Sequence, residues 1–230
     1  MDHIPAYGGI VVIDVETTGL GHKARPPRED GVVSVGLAWR ADGELRTWER
    51  ACDPGERFYA DGRAEDAFRV NGFTAGQVRS FPPANDTAFA LRGQLVSLRH
   101  PVHGILLHSY NVAFDRPFLE RWPWNIVIPW GPCIMLAAIA KLAPGAPHLS
   151  LEKSAKELGV ERQGKPHTAV GDAVTALLVM EALEHRVAVC FKCNGSGLIA
   201  FFKDPNNHSA GTETLRCSHC NGSGKAVTLR

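Results

Sequence analysis

The sequence predicts a mixed α/β domain, a sheet of about five strands with helices on its faces, followed by a small cysteine-rich module. Three observations carry this. A hairpin pattern opens the chain, strand and helix patterns alternate after it, and the composition changes abruptly near Val187. The limits read as 1–186 for the larger domain and 187–230 for the module.

Each element has its own signal. Gly9 to Val15 is an apolar run rich in β-branched residues, broken by Thr17-Thr18-Gly19, so it reads as a buried strand ending in a turn. Residues 21–31 are polar and contain Pro26-Pro27, a loop. Val32 to Arg40 and Glu44 to Arg50 flank Ala41-Asp42-Gly43, and the Asp-Gly step predicts a hairpin. Residues 62–80 hold a short helix and the turn Asn71-Gly72. A helix is expected from about Asn85 to Arg99, a strand over Gly104 to His108, and a helix from Ala113 to Trp122, stopped by Pro123. Ile126 to Ile128 is a candidate strand. Residues 133–142 and 150–158 read as helices, with Gly159 as a cap. Thr168 to Arg186 places Val170, Val174, Leu177, Leu178 and Leu183 at helical spacing.

The bulk numbers set limits. The chain has 230 residues, 44% hydrophobic and 21% charged, which is ordinary for a globular protein with a real core. No apolar run approaches the roughly 20 residues of a membrane span. Met1-Asp2-His3 shows no basic leader, and the expectation is a cytosolic protein. The net charge of +1 is unevenly spread. Residues 186–230 hold six Lys/Arg against Asp204 and Glu213, or +4, leaving 19 basic and 22 acidic residues, or −3, in residues 1–185. A basic tail on an acidic body suits phosphate contact by the tail; the plainer alternative is a small solvated module.

Asp14 and Glu16 stand two apart at a strand end, so both side chains share one face. Two acids there repel each other and lose solvation, and they need protons or a cation. Hard divalent ions such as Mg²⁺ take oxygen ligands of this kind. Asp115 lies in Asn111-Val112-Ala113-Phe114-Asp115, at the start of a helix that follows a strand. Asp172 lies in the last long helix, and His167 five residues before it.

Taken in order, these segments resemble a known family. Asp14-Val15-Glu16-Thr17-Thr18-Gly19-Leu20, Asn111 to Asp115, and His167-Thr168-Ala169-Val170-Gly171-Asp172 are similar to the three exonuclease motifs of the DEDD superfamily, in its histidine-containing form (DEDDh). The match spans about residues 9–185. It looks like the family of the polymerase III epsilon proofreading subunit, with RNase T and oligoribonuclease as relatives, and implies an RNase H-like fold. Tyr110-Asn111 departs from the His-Asn of many relatives.

The resemblance implies a 3′→5′ exonuclease releasing nucleoside 5′-monophosphates, using two Mg²⁺ or Mn²⁺ ions about 3.5–4 Å apart. Asp14 would bridge both ions, Glu16 and Asp172 would hold the one that binds the attacking water, and Asp115 would anchor the second. His167 would be the general base; an unperturbed imidazole titrates near about 6.5, which suits that task. Backbone at Thr17 and Thr18 would meet the terminal sugar, with Leu20, Asn111 and Phe114 near the last nucleotides, though core packing is an equally good account of Leu20 and Phe114. DNA is the favoured substrate, RNA the alternative. The partner is nucleic acid with a free, single-stranded 3′ end, with a polymerase or other replication or repair protein as a further partner. A non-catalytic binding protein on the same scaffold is a rival reading, but no ligand acid is lost.

The module repeats itself. Cys190-Phe191-Lys192-Cys193-Asn194-Gly195-Ser196-Gly197 and Cys217-Ser218-His219-Cys220-Asn221-Gly222-Ser223-Gly224 are separated so that 23 residues lie between the cysteine pairs. Four thiolates make a closed, structural Zn²⁺ site. The pattern resembles the zinc repeats of DnaJ-type chaperones, which carry four repeats and two sites; two repeats suffice for one. Leu198 to Phe202 and Thr212 to Arg216 are expected to pair as a hairpin. So short a module needs its metal to fold.

Overall fold

The computed structural model describes residues 10–21, 29–98, 104–187, 198–202 and 212–216. It divides into two compact units, Met1–Met180 and Glu181–Arg230. In the first, β1 (Ile10–Thr17), β2 (Val32–Ala41), β3 (Glu44–Ala51) and β4 (Leu106–His108) form one sheet in the order β3-β2-β1-β4. The β1–β2 and β2–β3 pairs are antiparallel and β1–β4 is parallel. Asp42 and Gly43 both take positive φ, 53° and 81°, and close a two-residue hairpin of the kind Asp-Gly favours.

The helices are α1 (Glu65–Asn71), α2 (Ala75–Arg79), α3 (Ala84–Ser97), α4 (Val112–Leu119), α5 (Ile134–Leu142), α6 (Leu151–Leu158) and α7 (Ala169–Val187). Strand alternation sorts them. Val11, Ile13 and Val15 of β1, with Val35 and Leu37 of β2, face one way and join Ala88, Leu91 and Leu95 of α3 and Phe118 and Leu119 of α4 in the main core. Full burial of each large side chain contributes roughly 1.5–3 kcal/mol. The opposite face carries Asp14 and Glu16 and receives the first turn of α7. Gly36, paired with Asp14, makes this approach possible: a Cβ there would lie 2.3 Å from the backbone of Ala169 and Val170. A smaller core joins Val33 to Phe58, Tyr59, Phe68 and Val78 beneath α1 and α2.

Two expectations are corrected. Among the described residues the sheet of the first unit has four strands, not about five. Ile126 to Ile128 forms no strand, and the chain meets β4 only through a single bridge, Leu107 to Trp130. Pro129 and Pro132 bracket that bridge and have no N–H to extend a ladder. The helix expected to reach Trp122 ends at Leu119, whose carbonyl accepts from the returning Ile126 amide at 2.9 Å.

In the second unit, β5 (Leu198–Phe202) and β6 (Thr212–Arg216) pair antiparallel, the hairpin expected from the sequence. Cys190, Cys193, Cys217 and Cys220 lie outside the described residues. No helix among the described residues is long and apolar enough to cross a membrane.

Candidate metal centre

The end of β1 is shaped by a register slip between Glu16 and Thr17. Such an irregularity ends regular pairing and re-aims the following residues. Up to that point Asp14 and Glu16 stay on one face. One carboxylate oxygen from each of Asp14, Glu16 and Asp172 lies within 4.8 Å of the others. Thr168 holds Asp172 in place through the start of α7: its carbonyl accepts from the Asp172 amide at 2.9 Å and its Oγ1 from Gly171 at 3.3 Å. Asp115, in the first turn of α4, is 2% exposed, and its charge bears directly on Asp14 and Glu16.

Crowding and burial act together on these acids. Burial is the first cause holding the Asp14 carboxyl well above its usual range, followed by the charges of Asp115, Glu16 and Asp172. Burial, then Asp172, Asp115 and Glu49, push Glu16 from its ordinary 4.5 to about 8. Asp172 is raised by burial, against the opposing charges of Arg162 and His167 and a main-chain hydrogen bond from His167. Clustered hard oxygens that ionise only at a cost are the donor set that a small divalent cation completes. The residues present therefore fit Mg²⁺ or Mn²⁺.

His167 is exposed, at positive φ (57°), beside Asp172 but outside the three-carboxylate group. Next to Glu16 opens a cleft of about 410 Å³, lined by Thr17, Leu20, Asp66, Val70, Asn71 and Phe114 among others. Leu20 is 58% exposed on its wall, so it is not core. Phe114 both lines the cleft and packs on Phe118, ring centroids 5.2 Å apart. The Thr18 amide and hydroxyl are already engaged, with Gly31 and Asp30, so neither is offered to a ligand. Thr17 Oγ1 donates to Gly19 O at 2.6 Å, and the Thr17 carbonyl accepts from Asn71 Nδ2 at 3.3 Å. Asn111 is not in the cleft; its Oδ1 is buried beside α4 with no hydrogen-bond partner.

Three residues of the site escaped sequence reasoning. Glu49 reaches it through the register Asp14–Gly36–Glu49, which follows once the Asp42-Gly43 turn is accepted. Asn71 lies in Val70-Asn71-Gly72-Phe73-Thr74, a stretch that holds the turn and also resembles the same family, but to which the sequence alone attaches no role at the site. Arg162, ion-paired to Asp172, carries no local signal.

No family model matches the sequence, and no curated protein matches it. Solved structures do match in shape. The nuclease domain of 3'hExo, a DEDDh family member bound to rAMP, is 15% identical with a TM-score of 0.60, covering 78% of this chain and 94% of that one. A 3′-exonuclease that recognises a histone mRNA stem-loop at its 3′ end is 12% identical, TM-score 0.63, covering 93% and 72%. Pop2p of S. pombe, in an Mg²⁺- and Mn²⁺-bound form, is 17% identical, TM-score 0.55, covering 80% and 84%. The chain is similar to these nucleases in fold.

Proposed function

We propose that the protein is a divalent-metal-dependent 3′→5′ exonuclease. One observation supports this above the rest: the carboxylates of Asp14, Glu16 and Asp172 meet within 4.8 Å beside an open cleft with apolar walls. Asp14, Glu16 and Asp172, with Asp115 whose charge acts on the first two, would hold Mg²⁺ or Mn²⁺. When bound, such ions acidify water and neutralise charge on a phosphodiester. The protein's own groups do the rest. Leu20 and Phe114 offer apolar surface to the last bases. His167, exposed next to Asp172, takes the proton of the attacking water at a ring nitrogen.

DNA is the substrate in the epsilon-like version of this reading. RNA is the second reading, supported by the rAMP held by one structural neighbour and the mRNA stem-loop recognised by another. Incubation of the protein with 3′-labelled single-stranded DNA and RNA and Mg²⁺, with EDTA as control, tests both. Mononucleotide release is expected, and His167→Ala should reduce it by about 10²–10⁴-fold while leaving the fold intact. No release from either polymer would remove the proposal. The same reading keeps residues 187–230 as a separate module in which Cys190, Cys193, Cys217 and Cys220 hold one structural Zn²⁺, and it keeps a replication or repair protein as partner.

A further inference from the structure

The acid cluster is accompanied by a cation that the proposed function leaves unused. Arg162 lies in the loop between α6 and α7, and its Nη2 pairs with Oδ1 of Asp172. The same charge reaches Asp14 and Glu16, where it offsets part of the cost of burying them.

Three features of this pairing bear on its role. Both side chains are largely covered, 22% exposed for Arg162 and 16% for Asp172, so the pair is weakly screened. The Arg162 Nε is buried with no hydrogen-bond partner, so the docked guanidinium is only partly satisfied. Release is also cheap in packing. Glu161 and Gln163 through His167, the residues around it in the loop, are exposed. The side chain can leave the cluster without unpacking a core residue.

A guanidinium and a divalent cation near one carboxylate compete for the same oxygen and repel each other. We propose that Arg162 is a resident counter-cation of the metal centre: it occupies Asp172 before metal arrives, holds the crowded acids together, and has to withdraw for a divalent ion to bind. Arg162 thereby sets the metal concentration at which the centre loads. The inference rests on reading Asp14, Glu16 and Asp172 as metal ligands.

The test is Mn²⁺ titration of the full chain, by calorimetry and by the EPR signal of free Mn²⁺, with thermal melts in EDTA. Arg162→Gln is expected to bind Mn²⁺ roughly tenfold or more tightly than the unaltered protein, to melt lower in EDTA, and to gain more from Mn²⁺. Equal or weaker Mn²⁺ binding by folded Arg162→Gln overturns the proposal. Arg162→Lys keeps the charge but loses the planar fork; it should show a smaller gain, and it decides the matter if Arg162→Gln does not fold, since binding no tighter than the unaltered protein then overturns it. An unaltered protein that binds Mn²⁺ with both variants unchanged sinks only the role of Arg162. Absence of Mn²⁺ binding in all three sinks the metal-centre reading as well. Binding by Arg162→Gln alone supports the proposal in its strongest form.

Discussion

Two carboxylate regions near the same end of β1, one buried and one half-buried, are built in opposite ways. Asp30 is 0% exposed, yet its oxygens are met by Gly21 N at 2.8 Å and Thr18 Oγ1 at 3.2 Å, and Gly31 N supports that hydroxyl at 2.9 Å. Asp14, Glu16 and Asp172 instead face one another, with Asp115 and Glu49 adding like charge. An acid given amide and hydroxyl donors is a structural clamp. Acids given mostly other acids ionise at a cost that a cation could offset.

The largest effect should separate the two regions outright. Asp14→Asn is expected to lower hydrolysis on the order of 10³-fold or more, while the melting temperature in EDTA stays level or rises because a repelling charge is gone. A fall in EDTA stability would make Asp14 a clamp like Asp30. Next comes Gly36→Ala. Its Cβ would lie 2.3 Å from the backbone of Ala169 and Val170, and such overpacking costs about 1–3 kcal/mol. Moving α7 should also weaken Mn²⁺ binding through Asp172, so an unchanged affinity by calorimetry would show that α7 is not positioned by this contact. Asp30→Asn should destabilise by about 1–3 kcal/mol, measured by denaturant unfolding, since one of its two oxygens becomes an NH₂ group facing a donor, Gly21 N or Thr18 Oγ1. Its Mn²⁺ affinity should not change.

The pH dependence tests the acid cluster without a substitution. Glu16 keeps its proton to about 8 in the fold, against 4.5 when free. The folded state binds more protons than the unfolded chain across that window, so stability falls as pH rises through it. Melts in EDTA between pH 5 and pH 8 should show this decline, and saturating Mg²⁺ should cancel it. A flat profile in EDTA would mean that Glu16 ionises in the fold as readily as in the unfolded chain.

Much of this was legible in the residues. Asp14 and Glu16 sit where an apolar strand meets Thr17-Thr18-Gly19, and the Asp42-Gly43 step set the hairpin that flanks them. The period-two rule alone put both acids on one face. What stayed hidden depended on distance in sequence. Arg162 is one of several arginines, and only the path from the Gly159 cap to α7 brings it to Asp172. Asn71 reads as half of a turn until its amide is seen on the Thr17 carbonyl. The missing fifth strand was a local error. The β-branched run Ile126-Val127-Ile128 reads as a strand by itself, but Pro129 and Pro132 beyond it limit what can pair there.

That contact between Asn71 and Thr17 has a mechanical consequence. Asn71 ends α1, which forms one wall of the cleft, and Thr17 is the residue next to Glu16. Wall and acid-bearing strand are therefore joined by one short strut. A displacement of α1 is resisted at the residue that follows Glu16, so the wall of the cleft and the end of the acid-bearing strand share one anchoring contact.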